Sequence, residues 1–210
     1  MEKSKTDDTT TYHHGNLRRR LIEVALEMIE ESSAAEVTLR GIAKRAGVSH
    51  AAPYRHFPDK EALLASVVRE GMSIMLSEIN VRLERVKGDA LTRFGICGLA
   101  YIDFAMHHPA YFRVMFASPT QGVVVPDSLK PQSSPVFQLF LEVISECWEQ
   151  GILQGESPYS IAISAWSIVH GFSLLAIDGH LYGLDAGSLG AMKRGLLHSL
   201  YSGIRGENGP

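Results

Sequence analysis

The sequence predicts an all-α fold. Apolar residues recur at helical spacing along most of the chain, and neither the alternation typical of strands nor an internal repeat is found. Glycine and proline residues separate the periodic segments. With 210 residues, of which 45% are apolar, the chain can bury a substantial core. We therefore expect a folded, helical protein of one larger or two smaller domains.

The N-terminal segment divides into an arm and a first helix. Residues 1–15 contain few apolar side chains and are predicted to be disordered in the absence of a partner. Asn16 is a favourable N-cap, and apolar residues from Leu17 to Ile29 then fall on one helical face. The first helix is therefore predicted to begin at Asn16 and to end near Ser32.

Two short helices follow, joined by a tight turn. Thr38 is predicted to cap the first of them, and Gly47 to end it in the left-handed conformation. Ser49 is predicted to cap the second, which spans residues 50–57. Helices of this length and separation form a helix-turn-helix, whose second helix enters the major groove of DNA.

Helices are also predicted for the remainder of the chain. Pro58 ends the third helix, and Asp59 is placed to cap a long amphipathic helix that reaches about Val86. Residues 117–134 contain several prolines and form the one long irregular segment. The other predicted helices are Ala90–His107, Pro109–Phe116, Pro135–Gln150, Pro158–Leu181 and Ser188–Ile204.

Charge is distributed unevenly along the chain. The formal net charge of −3 argues against a protein that coats nucleic acid through general basicity. Within residues 37–60, however, basic side chains stand against Asp59 alone; they are Arg40, Lys44, Arg45, Arg55 and Lys60. This local basic patch coincides with the helix-turn-helix and favours contact with DNA there.

Other classes of site receive little support. Cys97 and Cys147 lie in apolar helical segments without a Cys-x-x-Cys spacing, so we expect neither a disulfide framework nor a zinc site. Asp103 and His107 are four residues apart, and further potential ligands, His108, His170, Asp178 and His180, lie in neighbouring predicted helices. Such spacing is common by chance, and we expect no metal. No cofactor-binding or catalytic motif is found, so no catalytic residue is predicted.

The same composition predicts a cytoplasmic protein that makes no membrane contact. Residues 1–11 lack the apolar stretch of a secretion signal. Serines and His170 interrupt the most apolar stretch, residues 159–177, which makes it a poor membrane span. We interpret that stretch as a buried helix.

Residues 38–64, TLRGIAKRAGVSHAAPYRHFPDKEALL, resemble the DNA-binding region of the tetracycline-repressor (TetR) family. The resemblance lies in the helix-turn-helix, the aromatic residues Tyr54 and Phe57, and the Phe-x-x-Lys-Glu-x-Leu run that begins at Phe57. Further along, Trp166 with His170 and Gly171 resembles one C-terminal ligand-domain type of that family.

The resemblance implies a domain organisation. Residues 1–15 would form a disordered arm, residues 16–62 a helix-turn-helix DNA-binding domain, and residues 63–210 a helical domain for effector binding and dimerisation. The implied partners are double-stranded DNA with a palindromic operator, a second copy of the chain, and a small-molecule effector of unknown identity.

Candidate DNA contacts cluster on the third helix and at its flanks. The alanines there are small enough to approach thymine methyl groups, whereas Tyr54, Arg55 and Lys60 suit phosphates. Tyr54 could instead belong to the core, as we expect for Phe57, and Arg55 could be an ordinary solvated charge. Similarly, residues 18–20 form either a DNA-reaching basic arm or a solvated charge run. The predicted DNA-binding residues are Thr38, Ser49, His50, Ala51, Ala52, Pro53, Tyr54, Arg55, His56 and Lys60.

Aromatic side chains are concentrated in residues 90–181, and ligand cavities are commonly lined by such groups. Aromatic residues at helical spacing are equally typical of a core. The predicted ligand-binding residues are Tyr101, Phe104, Trp148, Trp166 and His170. The last two helices carry apolar residues on more faces than one protomer can cover, which predicts a dimer formed through them.

Together these features predict a repressor that a small, mainly apolar effector releases from a palindromic operator. Two alternatives remain at this stage. One is an all-α enzyme that uses histidine or aspartate residues of the C-terminal domain. The other is a DNA-binding regulator or activator that responds to no effector.

Overall fold

The computed structural model describes residues 9–117, 127, 130, 133–181, 183 and 185–204. Within these ranges the chain forms eight α-helices and one 3₁₀ turn, with no strand, which confirms the predicted all-α fold. The elements are α1 (Thr9–Glu31), α2 (Leu39–Arg45), the 3₁₀ turn (Pro53–Arg55), α3 (Lys60–Arg85), α4 (Ala90–His107), α5 (Pro109–Met115), α6 (Pro135–Glu149), α7 (Pro158–Ile177) and α8 (Ala186–Ile204).

Three of the predicted local signals around the helix-turn-helix are confirmed, those at Thr38, Gly47 and Asp59. The Thr38 side chain accepts a hydrogen bond of 3.0 Å from the Gly41 N–H at the start of α2. Gly47 has a φ of +70°, the left-handed conformation that lets the chain turn after α2. Asp59 caps α3 by accepting a 2.7 Å bond from the Ala62 N–H. Each cap satisfies a backbone donor that the helix itself leaves unpaired.

The first helix starts earlier than predicted. α1 begins at Thr9, so Asn16 lies within the helix and does not mark its start. Extending an existing helix adds one hydrogen bond for each residue fixed, whereas starting one is costly. The well-packed turns around Leu21 and Ala25, both fully buried, therefore carry the helix back through part of the predicted disordered arm. Residues 1–8 of that arm lie outside the described residues.

The predicted α-helix over residues 50–57 is instead a set of turns around the short 3₁₀ segment. Proline has no N–H, so Pro53 cannot donate to the Ser49 carbonyl as an α-helix would require. The Ala52 N–H donates to that carbonyl instead, at 2.9 Å. Ala52, rather than Ser49, precedes the 3₁₀ turn, and no side chain caps it.

The C-terminal helices agree closely with those predicted, apart from their ends. α7 ends at Ile177 rather than Leu181, because Gly179 has a φ of +75° and the His180 N–H turns back to the Leu175 carbonyl at 2.9 Å. α8 begins two residues before Ser188, whose N–H donates to the Asp185 carboxylate at 2.7 Å. Residues 118–126 of the predicted irregular segment lie outside the described residues.

Helix α4 lies at the centre of the C-terminal domain and packs against α3, α5, α6, α7 and α8. An ion-pair cluster joins three of these helices. The Asp103 carboxylate accepts hydrogen bonds from Arg82 at 2.6 Å and from Lys193 at 2.5 Å. Burial alone would raise the pKa of Asp103, but the hydrogen bonds and charges of the two cations outweigh it and hold that pKa below its usual value. The Asp103 carboxylate therefore holds α3, α4 and α8 together through ion pairs.

Helix α7 is the one described helix that is long and apolar enough to cross a membrane by length and composition. A third of the most apolar 18-residue stretch of α7 is buried, through packing against α4 and α6. Its exposed side carries Ile168 and Leu175. The inward side of α7 thus belongs to the core, as predicted for a buried helix, whereas its outward side remains apolar and uncovered within one protomer.

Candidate DNA interface and ligand cavity

The turn segment after α2, residues 49–57 and here called the recognition segment, presents a mixed, largely exposed surface. Tyr54 is 51% exposed, whereas Phe57, three residues later, is 2% exposed. The structure thus removes the alternative of a core role for Tyr54 and confirms that role for Phe57. Of the other predicted DNA-binding residues, Pro53 is buried, Ala52, His56 and Lys60 are partly exposed, and Thr38, Ser49, His50, Ala51 and Arg55 are exposed.

Several basic side chains near this surface are already paired within the chain. Arg45 is paired with Glu31, and the hydrogen bond between them lowers the pKa of the Glu31 carboxyl. The Lys60 ammonium donates to the Ala35 carbonyl at 2.7 Å. Lys60 therefore links the start of α3 to the turn that follows α1, and its side chain is only partly exposed near the predicted DNA-binding surface.

The basic residues of α1 are also engaged. Arg19 bonds Glu23 at 2.9 Å, and Arg20 bonds Glu27 at 3.0 Å. The Arg18 guanidinium lies 5.1 Å from the centre of the Phe57 ring and donates to the Ser66 hydroxyl. Arg18 thus helps to fix the recognition segment against α1 and α3.

Two exposed cations were not among the predicted contact residues. Arg40 and Lys44 lie on the exposed side of α2, and neither forms an ion pair with a carboxylate in the described part of the chain. The first helix of a helix-turn-helix crosses the DNA backbone. Both residues belong to the basic patch found in the sequence, but the sequence does not show which cations of that patch the fold leaves without an ion pair.

An apolar cavity of about 40 Å³, here called the inner cavity, lies between α3, α4, α6 and α7. No charged residue is among its described lining residues. The side-chain oxygen and nitrogen atoms in this described lining belong to Tyr101, Ser134 and Trp166. The lining residues are Met72, Met75, Ile79, Cys97, Gly98, Tyr101, Phe116, Ser134, Val136, Phe137, Leu139, Phe140, Trp166 and Val169.

A hydrogen-bonded chain crosses the wall of the inner cavity. The Trp166 indole N–H donates to the Tyr101 hydroxyl oxygen at 3.0 Å, and that hydroxyl lies 2.9 Å from His170 Nδ1. Because indole can only donate, the Tyr101 oxygen accepts from it. The buried Tyr101 O–H needs an acceptor of its own, and His170 Nδ1 is the one within reach, so we assign the hydroxyl as the donor to that nitrogen. Burial raises the pKa of Tyr101 far above its usual value and lowers that of His170. Both side chains are therefore neutral near pH 7, and the second ring nitrogen of His170 carries the proton.

The structure brings some of the predicted ligand residues together and separates others. Tyr101 and Trp166 line the inner cavity, and His170 contacts them both. Phe104 is fully buried, lies outside that lining, and packs against the His108 ring at 5.0 Å. Trp148 is 41% exposed on α6 and lines neither this cavity nor the cleft described next. The methionines that α3 contributes to the lining were missed, because apolar periodicity shows only that they face inward.

A second depression, here called the outer cleft, has a volume of about 420 Å³ and is more polar. It lies between the end of α1 with its following turn, α5, and α7. Phe116 lines both the outer cleft and the inner cavity and so separates them. The outer cleft is lined by Ile29, Ser32, Ser33, Ala34, Ala35, Phe112, Arg113, Phe116, Ala117, His170, Leu174 and Asp178.

The residues considered for metal binding are dispersed by the fold. His108 bonds Glu78 on α3 at 3.0 Å, whereas Asp103 serves the ion-pair cluster. Cys97 and Cys147 are buried free thiols, and burial raises the pKa of each to about 11. In the described ranges no group of three or more potential ligands is placed to hold a metal ion.

The exposed helix-turn-helix and the helical C-terminal part with its apolar cavity are the features of a DNA-binding transcriptional regulator with a ligand-binding C-terminal domain. Family comparison gives the same result. Residues 21–67 match the family of bacterial regulatory proteins called tetR, and residues 96–200 match the tetracyclin repressor-like C-terminal domain. The chain belongs to the TetR family. The finer Trp-His-Gly type of C-terminal domain stays a prediction.

Similar curated proteins include nucleoid occlusion factors named SlmA. The factor from Aliivibrio fischeri is 34% identical over 48% of this chain and 51% of its own length. That from Marinobacter nauticus is 26% identical over 69% of this chain and 73% of its own length. The chain spans about half the length of other factors of this name that it matches.

Solved structures share the fold over almost the whole chain. A protein of unknown function from Rhodococcus sp. RHA1 is 27% identical, with a TM-score of 0.75, and the match covers 93% of this chain and 99% of that one. The regulator FadR from Bacillus subtilis, in complex with stearoyl-CoA, is 19% identical with a TM-score of 0.67, over 89% and 99% of the two chains. At that identity the likeness to FadR shows the fold alone.

The hydrogen-bonded chain across the cavity wall generates a stability prediction. Tyr101→Phe removes one oxygen but leaves the Trp166 N–H and the His170 ring without their shared partner. We expect the free energy of unfolding to fall by about 1–3 kcal/mol, the usual cost of a stranded buried polar group. Chemical denaturation followed by circular dichroism measures this.

The matched control is Tyr159→Phe, because Tyr159 is 52% exposed and the chemical change is the same. Its stability should equal that of the parent protein. Equal stabilities for all three proteins would show that the hydrogen bonds between Trp166, Tyr101 and His170 contribute nothing to the stability of the fold.

Proposed function

We propose that the protein is a repressor, working in the cytoplasm as a homodimer, that a small and mainly apolar ligand releases from a palindromic operator. The proposal rests on the position of α3, which extends from the DNA-binding surface to the inner cavity. Its first residue, Lys60, lies beside the recognition segment, while Met72, Met75 and Ile79 of the same helix line the inner cavity. A ligand that displaces these side chains acts on a rigid element that also supports the DNA-binding surface.

The DNA contacts are proposed from exposure and chemistry. Tyr54, Thr38 and Lys60 would bind phosphate oxygens, which set the position of the protein on the duplex. His50 and Ala51, exposed at the start of the turn segment, would face base edges, where an alanine methyl can contact the thymine methyl. Arg40 and Lys44 add unpaired positive charge on α2 for the flanking backbone.

Tyr54→Ala and Lys60→Ala are expected to weaken binding to all DNA sequences to similar extents, because phosphate contacts carry no sequence information. The slope of log affinity against log salt should flatten by about one unit for Lys60→Ala. Titrations by fluorescence anisotropy, on operator and random duplexes at several salt concentrations, measure both effects.

Because Lys60 also bonds the Ala35 carbonyl, a folding control is required for that variant. Lys87→Ala, at an exposed lysine just after α3, removes the same charge and should leave the salt slope unchanged. If Tyr54→Ala and Lys60→Ala bound every duplex as tightly as the parent protein, the phosphate assignment would be wrong.

The proposed dimer uses the outward side of α7 together with α8. Ile168, Leu175 and Met192 are 38%, 47% and 40% exposed in the single chain. Large apolar side chains in such a row are typical of a protein interface. Pairing α7 and α8 with their copies gives a four-helix arrangement, and its two-fold axis requires a palindromic operator.

Leu175→Glu should convert the dimer to a monomer at micromolar concentration, because two carboxylates would be buried near the two-fold axis. Val81→Glu places the same charge at an apolar residue of α3 that is 40% exposed, and should leave the dimer intact. Sedimentation velocity gives both masses. A monomeric parent protein would contradict the proposed dimer.

Ligand release can be tested through its reciprocity. A ligand that weakens operator binding must itself bind more weakly to the protein–operator complex, by the same factor. For a coupling of about 1–3 kcal/mol, that factor is roughly five to 150. A panel of apolar metabolites can be screened by the fluorescence of Trp166 in the Trp148→Phe variant, which removes the exposed second tryptophan.

Ligands found in this way are then titrated with and without operator. Affinities that are identical in the two titrations would exclude ligand release. They would favour a DNA-binding protein that responds to no effector. In either case the proposed role is regulatory rather than enzymatic.

A further inference from the structure

Volume distinguishes the two depressions as places for a ligand. Ligand sites typically enclose about 300–1,000 Å³. The inner cavity, at about 40 Å³, has room for one or two groups the size of a water molecule, whereas the outer cleft, at about 420 Å³, is large enough for a whole small molecule. The outer cleft therefore merits consideration as a ligand site in its own right.

The lining of the outer cleft is amphipathic. Phe112, Phe116 and Leu174 are apolar lining residues, and the centres of the two phenylalanine rings lie 4.7 Å apart. Arg113 and Asp178 are the only charged residues among the described ones that line it. A ligand that fits this surface has a hydrocarbon part and one polar end.

Arg113 is incompletely used by the protein. Its Nη2 atom donates to the Ile177 carbonyl at 2.8 Å and to the Asp178 carboxylate at 3.3 Å. The second distance is long for a charge-assisted hydrogen bond, and Asp178 is 46% exposed. A guanidinium has five N–H donors in a planar fork that suits a carboxylate. An incoming carboxylate can therefore bind Arg113 in competition with Asp178.

His170 adds a second hydrogen-bond donor to the outer cleft. Its Nδ1 atom accepts from Tyr101, so the proton of the neutral ring is on Nε2. The imidazole lines the outer cleft while remaining part of the chain to Trp166. Arg113 and His170 thus both offer a ligand in the outer cleft a hydrogen-bond donor, which favours a ligand group that accepts.

We infer that the outer cleft binds an amphipathic monocarboxylate, with its carboxylate on Arg113 and its hydrocarbon part over Phe112, Phe116 and Leu174. The opposite wall of the cleft is the turn of residues 32–35, which connects α1 to the helix-turn-helix. A ligand held there contacts the DNA-binding domain and the ligand-binding domain at once. Its effect on operator binding rests on the proposed function, whereas its binding does not.

The test uses decanoate and 1-decanol as probes, which share a hydrocarbon chain and differ in the carboxylate. Isothermal titration should show that decanoate binds the full-length protein about tenfold more tightly than 1-decanol, through the charge-assisted hydrogen bond. Arg113→Gln should remove this preference. Asp178→Asn should increase it, because the competing carboxylate is gone, while the affinity for 1-decanol stays the same.

Arg85→Gln is the control for general charge, since it removes an exposed arginine at the end of α3. It should leave the preference for decanoate intact. Circular dichroism of each variant confirms folding, and the opposite effects expected of Arg113→Gln and Asp178→Asn cannot both arise from a damaged fold.

Three results would overturn the inference: binding of neither probe, equal affinity for both, or a preference that survives Arg113→Gln. An operator titration then separates this inference from the proposed function. Decanoate that binds through Arg113 without weakening operator binding leaves the cleft site standing and argues against ligand release by that site. A different ligand that releases the operator in Arg113→Gln leaves the proposed function standing without the cleft site.

Discussion

The close approach of α5 to α3 at Gly71 is the contact on which the relation between the two domains depends. A Cβ atom at this position would lie 2.5 Å from the Met115 sulfur and 3.1 Å from the Tyr111 ring. Glycine within a helix costs about 1 kcal/mol relative to alanine, so the gain has to come from this packing. The missing side chain lets a helix of only seven residues lie directly against α3 while it also packs on α1 and α4.

This position places α5 against α1 and α3, which lead to the DNA-binding surface, and against α4 at the centre of the C-terminal domain. Its neighbour α1 carries the core of the DNA-binding domain, and α3 runs from the recognition segment to the inner cavity. Just beyond its last turn, Phe116 forms the wall between the inner cavity and the outer cleft. Packed helices resist continuous deformation, so in the proposed mechanism a ligand that displaces Phe116 would shift the whole of this short helix. That shift would reach α1 and α3 directly.

What the sequence could predict is mostly what neighbouring residues determine. Thr38 and Asp59 cap their helices through backbone groups three residues away, and both caps could be predicted from residue type. The replacement of the third helix by a 3₁₀ turn is also local, since it follows from the missing N–H of Pro53. It was missed because proline is well tolerated in the first turn of an α-helix, and the helix was predicted to begin three residues earlier.

The remaining misses depend on tertiary structure. Tyr101 and Phe104 are three residues apart on α4 and equally aromatic, yet only Tyr101 lines the inner cavity. The rotation of α4 relative to α7 decides between them, and no pattern within α4 reveals that rotation. Similarly, the bond from Lys60 to the Ala35 carbonyl spans 25 residues, so the sequence alone shows an available cation where the structure shows a partly engaged one.

Helix α7 shows how one segment can serve two sites. Trp166 and His170, four residues apart, share the side that faces α4 and the cavities, whereas Ile168 and Leu175, seven residues apart, share the opposite side. A ligand that displaces Trp166 or His170 therefore acts on the same rigid helix that would meet its copy across the proposed two-fold axis. In the proposed dimer, the separation of the two recognition segments would depend on how these helices pair, so the length of α3 would enlarge a small rotation of α7 at the DNA. The 26 residues of α3 span about 39 Å, so a rotation of only a few degrees changes the half-site separation by ångströms.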